Sequence, residues 1–478
     1  MAFGTEYFIA DLAPKPILDL KHIRAHPGLY AQNCLDRNYP AQANNSWRIL
    51  ELFAQLQASQ KTARSLRERN NELRKLIAHA ASNAPGVEPG SPTEARAAAL
   101  EEAKALKAQL SIVEDEEKAC QREIDALALE LPNLSSTHTP SGSDPTVLEY
   151  INTHPAQHGT PSDRVWRSHV HIGSALRLVD FAGAATASGW GWYVLKNEAV
   201  QLEHALVQFA LKTARNRGWD LVAPQSVVYA HIAAACGFMP RDQNGETQIY
   251  ALEQPEKDAA KPQLVLAGTG EIPIAGMHAN STFEPEDLPR RLVGASRCFR
   301  AEAGARGVDT KGLYRVHEFT KVEMFAFTGA AEQMFDEMLG IQKEIIGKLG
   351  LHGRVLEMPH SELGASAARK IDIEVFFPSR VEKGEGWGEV SSLSLCGDYQ
   401  SRRLGTRVRM GGSRGLEFPT TLNGTALAVP RVVAAVLENG WDEHRQCVVL
   451  PECLWPWMDG VKEIHAPEGA RLVEDGDD

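Results

Sequence analysis

The sequence has no long hydrophobic run, since no apolar stretch among its 478 residues approaches the about 20 residues that a membrane helix requires. We therefore expect no membrane partner. The seven cysteines include no C-x-x-C pair, and Cys447 and Cys453 are the two closest in sequence. Their scatter argues against a disulfide framework and contains no zinc signature, so we expect mostly buried thiols in a reducing compartment.

Positive charge is also scarce. The sequence contains 50 Lys and Arg residues and 62 Asp and Glu residues, which gives a formal net charge of −12. A nucleic-acid partner would therefore have to be held by a local basic patch. Met1 to Ala10 has neither the apolar core of a signal peptide nor an arginine-rich amphipathic start. If the full gene product is imported into an organelle, we expect its presequence to be missing from this chain.

A hairpin pattern stands between Phe299 and Glu323. It begins Phe-Arg-Ala-Glu, crosses a glycine-rich polar loop and returns from Tyr314 with alternating apolar and polar residues. This predicts two antiparallel strands joined by a long loop. Strand alternation places Arg300 and Glu302 together, and it groups on one face of the return limb Arg315, His317, Phe319, Lys321 and Glu323. The opposite face of that limb receives Val316, Val322 and Met324.

Arginine, aromatic and carboxylate side chains on one strand face suit the binding of a charged ligand. A guanidinium matches phosphate or carboxylate oxygens, an aromatic ring can stack on a base, and a carboxylate can accept from an ammonium or hydroxyl group. The alternative is a solvated outer face of the sheet that carries cross-strand ion pairs.

Two helical stripes precede this region. Apolar residues recur three and four apart over 47–77 and over 103–127, and a segment rich in proline and glycine, Ser82 to Pro92, separates them. This predicts an antiparallel coiled-coil hairpin with helices of ~50 Å or more, ended by Pro132. Seven Lys and Arg against three Glu give the first limb a net charge of +4 between Ala41 and His79. That basic edge either contacts RNA phosphates or is a solvated surface with inter-helix ion pairs.

Residues 133–165 are rich in Pro, Ser, Thr and Gly, and we assign a linker to 136–165. The run Gly189 to Tyr193 predicts a strand entering a turn. A helix is expected over Glu198 to Arg217, with its inward face formed by Leu202, Ala205, Leu206 and Phe209. A strand from Trp219 to Ala223 should follow and end at Pro224.

The Phe299 to Glu323 hairpin resembles motif 2 of the class II aminoacyl-tRNA synthetases, and specifically that of the seryl-tRNA synthetases. Their pattern is F-R-x-E, a glycine-containing loop, then G-L-x-R-x-H-Q-F-x-K-V-E, and Glu318 replaces the usual glutamine. Leu422 to Arg431 resembles motif 3, a strand leading into a helix. The helix–strand–proline unit that starts at Glu198 resembles motif 1, which builds the dimer interface in the family.

Two shorter segments extend the resemblance. Glu389-Val-Ser-Ser392 ahead of Asp398-Tyr-Gln-Ser-Arg-Arg403 is similar to E-[IV]-S-S before F-Q-x-R-R, with tyrosine where phenylalanine is usual. Thr269-Gly-Glu271 stands where the family has T-x-E, commonly with alanine in the middle. Taken alone, this tripeptide could also be a turn before a strand.

The resemblance implies activation of L-serine with ATP and Mg²⁺, followed by transfer to the 3′ end of tRNA(Ser). The reaction builds negative charge on phosphate oxygens, which cations must stabilise. The implied catalytic residues are Arg300, for the α-phosphate and the serine carboxylate, and Arg431, for the γ-phosphate. Phe319 would stack on adenine and Glu302 would accept from its amino group. The full set of implied ATP-binding residues is Arg300, Ala301, Glu302, Val316, Phe319, Glu389, Val390, Ser391, Ser392 and Arg431.

The implied serine-binding residues are Thr269, Gly270, Glu271, Arg300, Glu323 and Thr425. Glu389 and Ser392 would hold the metal, which requires a bulge because a regular strand puts them on opposite faces. The family has an N-terminal helical arm that holds the long variable arm of its tRNA, and here we expect RNA contacts from Arg64, Arg67 and Lys75.

The predicted fold is α+β, with an N-terminal antiparallel coiled-coil hairpin followed by a class II catalytic domain, an antiparallel sheet flanked by helices. The predicted divisions are a tRNA-binding domain over 1–135 with its arm at about 42–130, a linker over 136–165, a catalytic domain over 166–460 and an acidic tail over 461–478. We expect a homodimer in the mitochondrial matrix or the cytoplasm.

Two other functions remain open at this point. One is a synthetase-like ligase that loads an amino acid onto a carrier protein, although such homologues tend to lack the helical arm. The other is a non-catalytic tRNA-binding homologue, which would be expected to have lost Arg300, Glu323, Glu389 or Arg431.

Overall fold

The computed structural model of the protein describes residues 13–82, 94–153, 166–239, 248–302, 312–381, 385–410 and 415–467. The chain divides into two compact units. Leu18–Pro132 forms a helical unit, and Met1–Ile17 with Asn133–Asp478 forms a second unit, built on a sheet. None of the helices within the described ranges combines the length and apolarity needed to cross a membrane.

The α-helices and strands follow in chain order. The α-helices are α1 (Leu20–Ala25), α2 (Pro27–Asp36), α3 (Asn45–Ser82), α4 (Glu94–Glu130), α5 (His169–Ala175), α6 (Phe181–Ser188), α7 (Glu198–Arg215), α8 (Ala230–Ala235), α9 (Glu271–Gly276), α10 (Ala331–Lys348), α11 (Tyr399–Leu404) and α12 (Val429–Gly440). The strands are β1 (Thr146–Ile151), β2 (Val179–Asp180), β3 (Val194–Leu195), β4 (Asp220–Leu221), β5 (Val227–Tyr229), β6 (Leu264–Leu266), β7 (Thr282–Phe283), β8 (Arg290–Phe299), β9 (Glu318–Thr328), β10 (Gly353–Glu357), β11 (Arg369–Phe376), β12 (Trp387–Gly397), β13 (Arg407–Met410), β14 (Gly415–Glu417), β15 (Thr420–Ala428), β16 (Trp441–Asp442), β17 (Cys447–Val449) and β18 (Glu463–His465).

The helical unit is a hairpin of α3 and α4, which contain 38 and 37 residues and are therefore each about 55 Å long. The predicted stripes form its interior, since Ile49, Leu52 and Leu56 of α3 and Ile124 of α4 are buried. The limbs are also joined by ion pairs, among them Arg69–Glu102 at 2.8 Å. The two-helix hairpin is confirmed. Of the segment between its limbs, residues 83–93 lie outside the described residues.

The second unit is built on an eight-stranded sheet in the order β1-β10-β11-β12-β15-β9-β8-β4. All neighbours are antiparallel except the parallel pair of β4 and β8. The predicted α+β class is therefore confirmed. Helices α7, α10 and α12 pack on one face, which includes the buried Val322 and Met324 of β9. The other face of β9 carries Phe319, Lys321 and Glu323, as strand alternation predicts.

The predicted hairpin is formed by β8 and β9, which pair from Phe299 with Glu318 to Arg290 with Phe327. The return strand starts at Glu318 rather than at Tyr314. Residues 312–317 are irregular, so strand alternation does not apply to them. As a result Val316 packs against Phe319, and the prediction that it lies on the opposite face is wrong.

Two local predictions fail in the sheet unit. The run from Gly189 to Tyr193 is a turn, and only Val194–Leu195 is extended, because Gly189 and Gly191 adopt φ of +95° and +83°, values that a regular strand cannot contain. The segment 136–165 is not a plain linker, since Thr146–Ile151 pairs with β10 at the sheet edge. Its β-branched and aromatic residues favour that pairing. Positions 154–165 lie outside the described residues.

The C-terminal boundary also differs from the prediction. Residues 463–465 form β18, which pairs with β17, and Ile464 is buried, so an acidic tail does not begin at 461. The remainder of that predicted tail, 468–478, lies outside the described residues. The prediction of mostly buried thiols is confirmed, because all seven cysteines are free and five of them are buried.

Candidate active site

A cleft opens on the sheet face that carries Phe319. It encloses about 540 Å³ of space, including its mouth, and is lined by Arg300, Glu302, Tyr314, Arg315, Val316, Phe319, Lys321, Glu389, Val390, Ser392, Thr425, Ala428, Pro430 and Arg431. These residues come from the segments that follow β8 and precede β9, from β9, β12 and β15, and from the start of α12. The sheet thus brings together side chains that are more than 100 positions apart in the sequence. We call this space the central cleft.

Arg300 and Phe319 form one wall of the central cleft. Arg300 directly follows β8, and its Nε donates to the Gly268 carbonyl at 3.3 Å. Its guanidinium carbon lies 5.4 Å from the centre of the Phe319 ring. A planar cation and an aromatic ring therefore lie side by side. One nucleotide could contact both, with its phosphate on the guanidinium and its base on the ring.

Glu302 and Arg315 face each other across the mouth of the hairpin loop. Arg315 Nη1 donates to Glu302 Oε2 at 2.7 Å. Glu302 adopts φ of +46°, which is uncommon for a residue other than glycine. Ala301 does not line the cleft, and its backbone N–H donates to the Gln248 carbonyl at 3.1 Å.

Arg431 closes the opposite side from the first turn of α12. Its Nε donates to the Tyr314 carbonyl at 3.0 Å, and its Nη1 donates to the Glu389 carbonyl at 2.9 Å. The same Nη1 lies 3.3 Å from Glu389 Oε2. Burial raises the pKa of Glu389, but the charges of Arg431, Lys370 and Arg300 outweigh it and bring that pKa below its ordinary value. The carboxyl group is therefore ionised at neutral pH.

The β-bulge that the metal assignment requires is present in β12. Ser391 pairs with Ile373 while Glu389 pairs with Glu374, so Val390 is the extra residue. Glu389 and Ser392 consequently both line the central cleft. Ser391 is fully buried and donates its hydroxyl to the Thr425 carbonyl at 2.5 Å, which joins β12 to β15.

A buried polar cluster, consisting of Thr269, Glu271, Lys321, Glu323 and Gln400, lies beside the central cleft. Lys321 Nζ donates to Thr269 Oγ1 at 2.6 Å and pairs with Glu323, and Thr269 Oγ1 donates to Glu323 Oε2 at 3.1 Å. Gln400 Nε2 donates to Glu271 Oε1 at 2.5 Å. Burial, and then the charge of Glu323, raise the pKa of Glu271 to about 7. We call this set the acid cluster.

The remaining predicted serine ligands adjoin the acid cluster. Thr425 of β15 pairs with Glu323 of β9 in the sheet and lines the central cleft. A Cβ on Gly270 would lie 3.0 Å from Glu323 Cβ, so residue 270 packs directly against that side chain. Thr269 and Gly270 lead into α9 and not into a strand. The alternative interpretation of this tripeptide, a turn before a strand, is therefore wrong.

Sequence reasoning missed three members of this region. Strand alternation places Lys321 on the correct face but assigns it no role, and the motif that contains Gln400, Asp398 to Arg403, does not single that residue out. Asp372 pairs with Ser392 across the sheet, and burial raises its pKa to about 7. Its Oδ1 has no hydrogen-bond partner within the described part of the chain. The sequence feature that could have revealed it is an aspartate between two isoleucines in the strand R-K-I-D-I-E-V-F.

The predicted RNA contacts in the helical unit have different surroundings. Arg64 donates to Glu68 at 3.0 Å on the same helix, and Arg67 donates to Glu114 of α4 at 2.8 Å. Lys75 forms no ion pair with any residue that the structure describes. Arg74 and Lys107, which also form none among the described residues, line a groove between the two helices together with Asn70, Ile77, Ala78, Arg96, Leu100, Ala103 and Lys104.

A further cluster lies in the small C-terminal sheet. Potential ligand atoms of Cys447, Glu463 and His465 are within 4.8 Å of one another, a grouping that the scattered cysteine pattern did not predict. Arg445 already pairs with Glu463 there. The burial of Cys447 raises the pKa of its thiol.

Comparisons with known proteins agree with this geometry. Residues 250–440 match the family model described as "tRNA synthetase class II core domain (G, H, P, S and T)", and residues 17–135 match "Seryl-tRNA synthetase N-terminal domain". The mitochondrial serine–tRNA ligase of Saccharomyces cerevisiae is 40% identical over 365 residues, which is 76% of this chain and 78% of that protein. The serine–tRNA ligase of Rubrobacter xylanophilus is 37% identical over 94% of this chain and 99% of its own length.

A solved structure extends the agreement to the fold. The seryl-tRNA synthetase of Pyrococcus horikoshii, complexed with ATP, superimposes with a TM-score of 0.82 at 30% identity, covering 95% of this chain and 100% of that one. Sequence relatives, both family models and the fold therefore point to one family. The chain belongs to the seryl-tRNA synthetases, the class II aminoacyl-tRNA synthetases that ligate serine to tRNA.

Proposed function

We propose that the central cleft binds ATP, that the acid cluster binds L-serine, and that the chain forms seryl-adenylate there before charging tRNA(Ser). One observation carries the proposal. Arg300, Arg431, Phe319 and Glu389 line a single cleft, and Thr425, which also lines it, pairs in the sheet with the buried Glu323. A non-catalytic homologue would have no reason to keep this combination.

ATP lies between the two arginine walls. Phe319 stacks on adenine, and Glu302 accepts from the adenine amino group while Arg315 fixes the Glu302 carboxylate at 2.7 Å. Arg300 contacts the α-phosphate and the serine carboxylate, which brings the nucleophile in line with phosphorus. A carboxylate oxygen attacks the α-phosphorus, the bond to the bridging oxygen breaks, and pyrophosphate leaves. Arg431, held by Tyr314 and Glu389, stabilises the charge on the γ-phosphate.

The donors present at β12 suit Mg²⁺. Glu389 and Ser392 offer a carboxylate and a hydroxyl on the same side of the sheet, and Mg²⁺ takes such hard oxygen ligands together with substrate phosphates and water. The buried Asp372 carboxyl group, opposite Ser392, adds a further oxygen at this place. When bound, the ion would supply positive charge against the ATP phosphates.

The acid cluster suits serine because its groups are polar and buried. Glu323 and Glu271 can accept from the ammonium and hydroxyl groups of serine, and Thr425 offers a hydroxyl beside them. A pocket of this kind distinguishes serine from alanine, since alanine would leave these buried groups without partners. In the second step the terminal adenosine hydroxyl of the tRNA attacks the seryl carbonyl carbon and AMP leaves.

The helical unit binds tRNA(Ser) by its basic side chains. The groove residues Arg74 and Lys107, with Lys75 beside them, are better placed for phosphates than Arg64 and Arg67, whose charges are already paired. Exposed pairs contribute only ~0–1 kcal/mol, so Arg64 and Arg67 can still exchange partners when RNA arrives.

Assembly and location follow the family. The chain is a homodimer that associates through the α7–β4 side of the sheet, where Leu221 on the edge strand is 50% exposed. Its compartment is the mitochondrial matrix or the cytoplasm. Mitochondrial relatives in two yeasts and bacterial relatives both support the family assignment.

Serine-dependent exchange between ATP and labelled pyrophosphate tests the proposal, and charging of tRNA(Ser) completes it. Exchange with serine but no charging of any tRNA would favour the carrier-protein ligase. No exchange in folded, ATP-binding protein would favour the non-catalytic homologue.

A further inference from the structure

Glu438 is a buried carboxylate that the reaction does not use directly. It lies on α12, two turns after Arg431, and is fully inaccessible to solvent. A carboxylate in the core is costly unless hydrogen bonds satisfy it. Glu438 accepts four of them, from the His169 backbone N–H, His169 Nδ1, the Ser379 hydroxyl and the Ser379 backbone N–H, at 2.7 to 3.1 Å.

His169 continues this network toward the central cleft. The Leu313 backbone N–H donates to His169 Nε2 at 3.0 Å. Since a backbone N–H can only donate, Nε2 must be unprotonated, and Nδ1 then carries the proton that is given to Glu438 at 2.7 Å. Gly312 makes the approach possible, because a Cβ there would lie 2.2 Å from Nε2. The imidazole is thus a neutral spacer between α12 and the hairpin loop.

The residue after Leu313 holds the catalytic arginine. The Tyr314 carbonyl accepts from Arg431 Nε at 3.0 Å, and the Tyr314 ring lies 4.7 Å from the Arg431 guanidinium carbon. A continuous chain of hydrogen bonds and backbone therefore connects Glu438 to Arg431, through His169 and residues 313–314, and both ends of this chain lie on α12. On its other side Ser379 precedes Arg380, whose guanidinium carbon lies 4.0 Å from the same Tyr314 ring.

We propose that His169 and Glu438 are positioning residues for Arg431, because they fix residues 313–314 and thereby the carbonyl and ring that hold its guanidinium. This inference rests on the proposed function. It assigns a catalytic effect to two side chains that do not line the central cleft. A displacement of about 1 Å in a catalytic group can cost up to about 100-fold in rate. A small shift of residues 313–314 would therefore be enough to lower the reaction rate through Arg431.

Two substitutions at one position separate positioning from simple packing. His169→Asn places an amide near the Nδ1 position, so it can donate to Glu438 but cannot accept from Leu313. His169→Gln places a carbonyl near the Nε2 position, so it can accept from Leu313. We expect the asparagine variant to lose about tenfold or more in kcat/KM for ATP in the exchange assay, and the glutamine variant to recover most of it. KM for serine should stay within about twofold in both, because the acid cluster is untouched.

Ser379→Ala serves as the matched control. It removes the hydroxyl bond to Glu438 but keeps the Ser379 backbone N–H bond to the same carboxylate, so residues 379–380 and the contact of Arg380 with the Tyr314 ring should stay in place. Tm should therefore fall while kcat/KM for ATP stays near that of the unaltered protein. Equal losses in the asparagine and glutamine variants would overturn the inference, as would losses that follow Tm across all three. Calorimetric titration with ATP measures the affinity for ATP directly and does not depend on adenylate formation. If the unaltered protein binds ATP but does not exchange, the proposed function fails, and the ranking of ATP affinities among the variants still decides the role of His169.

Discussion

Replacing Glu323 with glutamine removes one negative charge from the acid cluster and keeps the shape of the side chain. Glu323 is only 2% exposed, accepts from Thr269 and pairs with Lys321. A charge-assisted hydrogen bond to the serine ammonium group contributes ~1.5–3 kcal/mol. Its loss should therefore raise KM for serine by about 10- to 100-fold.

The same substitution should also affect stability. Lys321 keeps its 2.6 Å bond to Thr269 but loses its carboxylate partner in a buried site. Removing one partner of a buried ion pair costs ~3–5 kcal/mol, and the glutamine oxygen, which can still accept, should reduce this cost. Rates must therefore be expressed per folded protein, with Tm measured on the same samples.

Glu318→Gln provides the control for this prediction. Glu318 is on the same strand and pairs with Arg297 at 3.0 Å, away from the acid cluster, and the family usually has glutamine there. Its substitution should leave KM for serine unchanged. Serine-dependent pyrophosphate exchange at saturating ATP measures both variants. If Glu323→Gln keeps KM for serine within about twofold of the unaltered protein, Glu323 is not a serine ligand.

Two further predictions concern pH and tRNA. Burial raises the pKa of Glu271 to about 7, so between about pH 4.5 and 7 the folded chain retains a proton that the unfolded chain releases, and stability should fall as pH rises through this window. Thermal denaturation of Glu271→Gln should show a weaker dependence, since only the contribution of the buried Asp372, whose pKa is also raised to about 7, remains. Equal slopes in both proteins would contradict the assignment. Replacing Arg74, Lys75 and Lys107 together with alanine should raise the tRNA concentration needed for half-maximal charging and flatten its salt dependence, with pyrophosphate exchange preserved. If the triple variant charges tRNA normally while Arg64→Ala with Arg67→Ala does not, the groove assignment is wrong.

Periodic patterns in the sequence correctly predicted the long helices and the central hairpin. The heptad stripes predicted α3 and α4, and the apolar face of α7 is buried as its spacing indicates. The hairpin was predicted because alternating residues on both sides of a glycine-rich loop suit antiparallel pairing. The errors occurred in short segments, where too few residues are present to show a periodic pattern. Examples are the turn at Gly189 and the six-residue strand β1 inside a proline-rich segment.

Several residues that line the candidate site were predictable from the sequence, but the contacts among them were not. Motif spacing located Arg300, Glu389 and Arg431, and all three line the central cleft. The partners of buried charges could not be deduced, because they come from distant positions. Gln400 reaches Glu271 across 129 positions, and His169 reaches Glu438 across 269. Such pairs depend on the tertiary fold, which no local period encodes.

Serine-dependent ATP–pyrophosphate exchange on the unaltered full chain tests the central claim most directly. The chemistry assigned to Arg300, Arg431 and the acid cluster predicts exchange that requires serine, is not supported by alanine, and falls by about 100-fold or more in Arg300→Ala. Exchange that is absent in folded protein, or that proceeds equally well with alanine, would contradict the account.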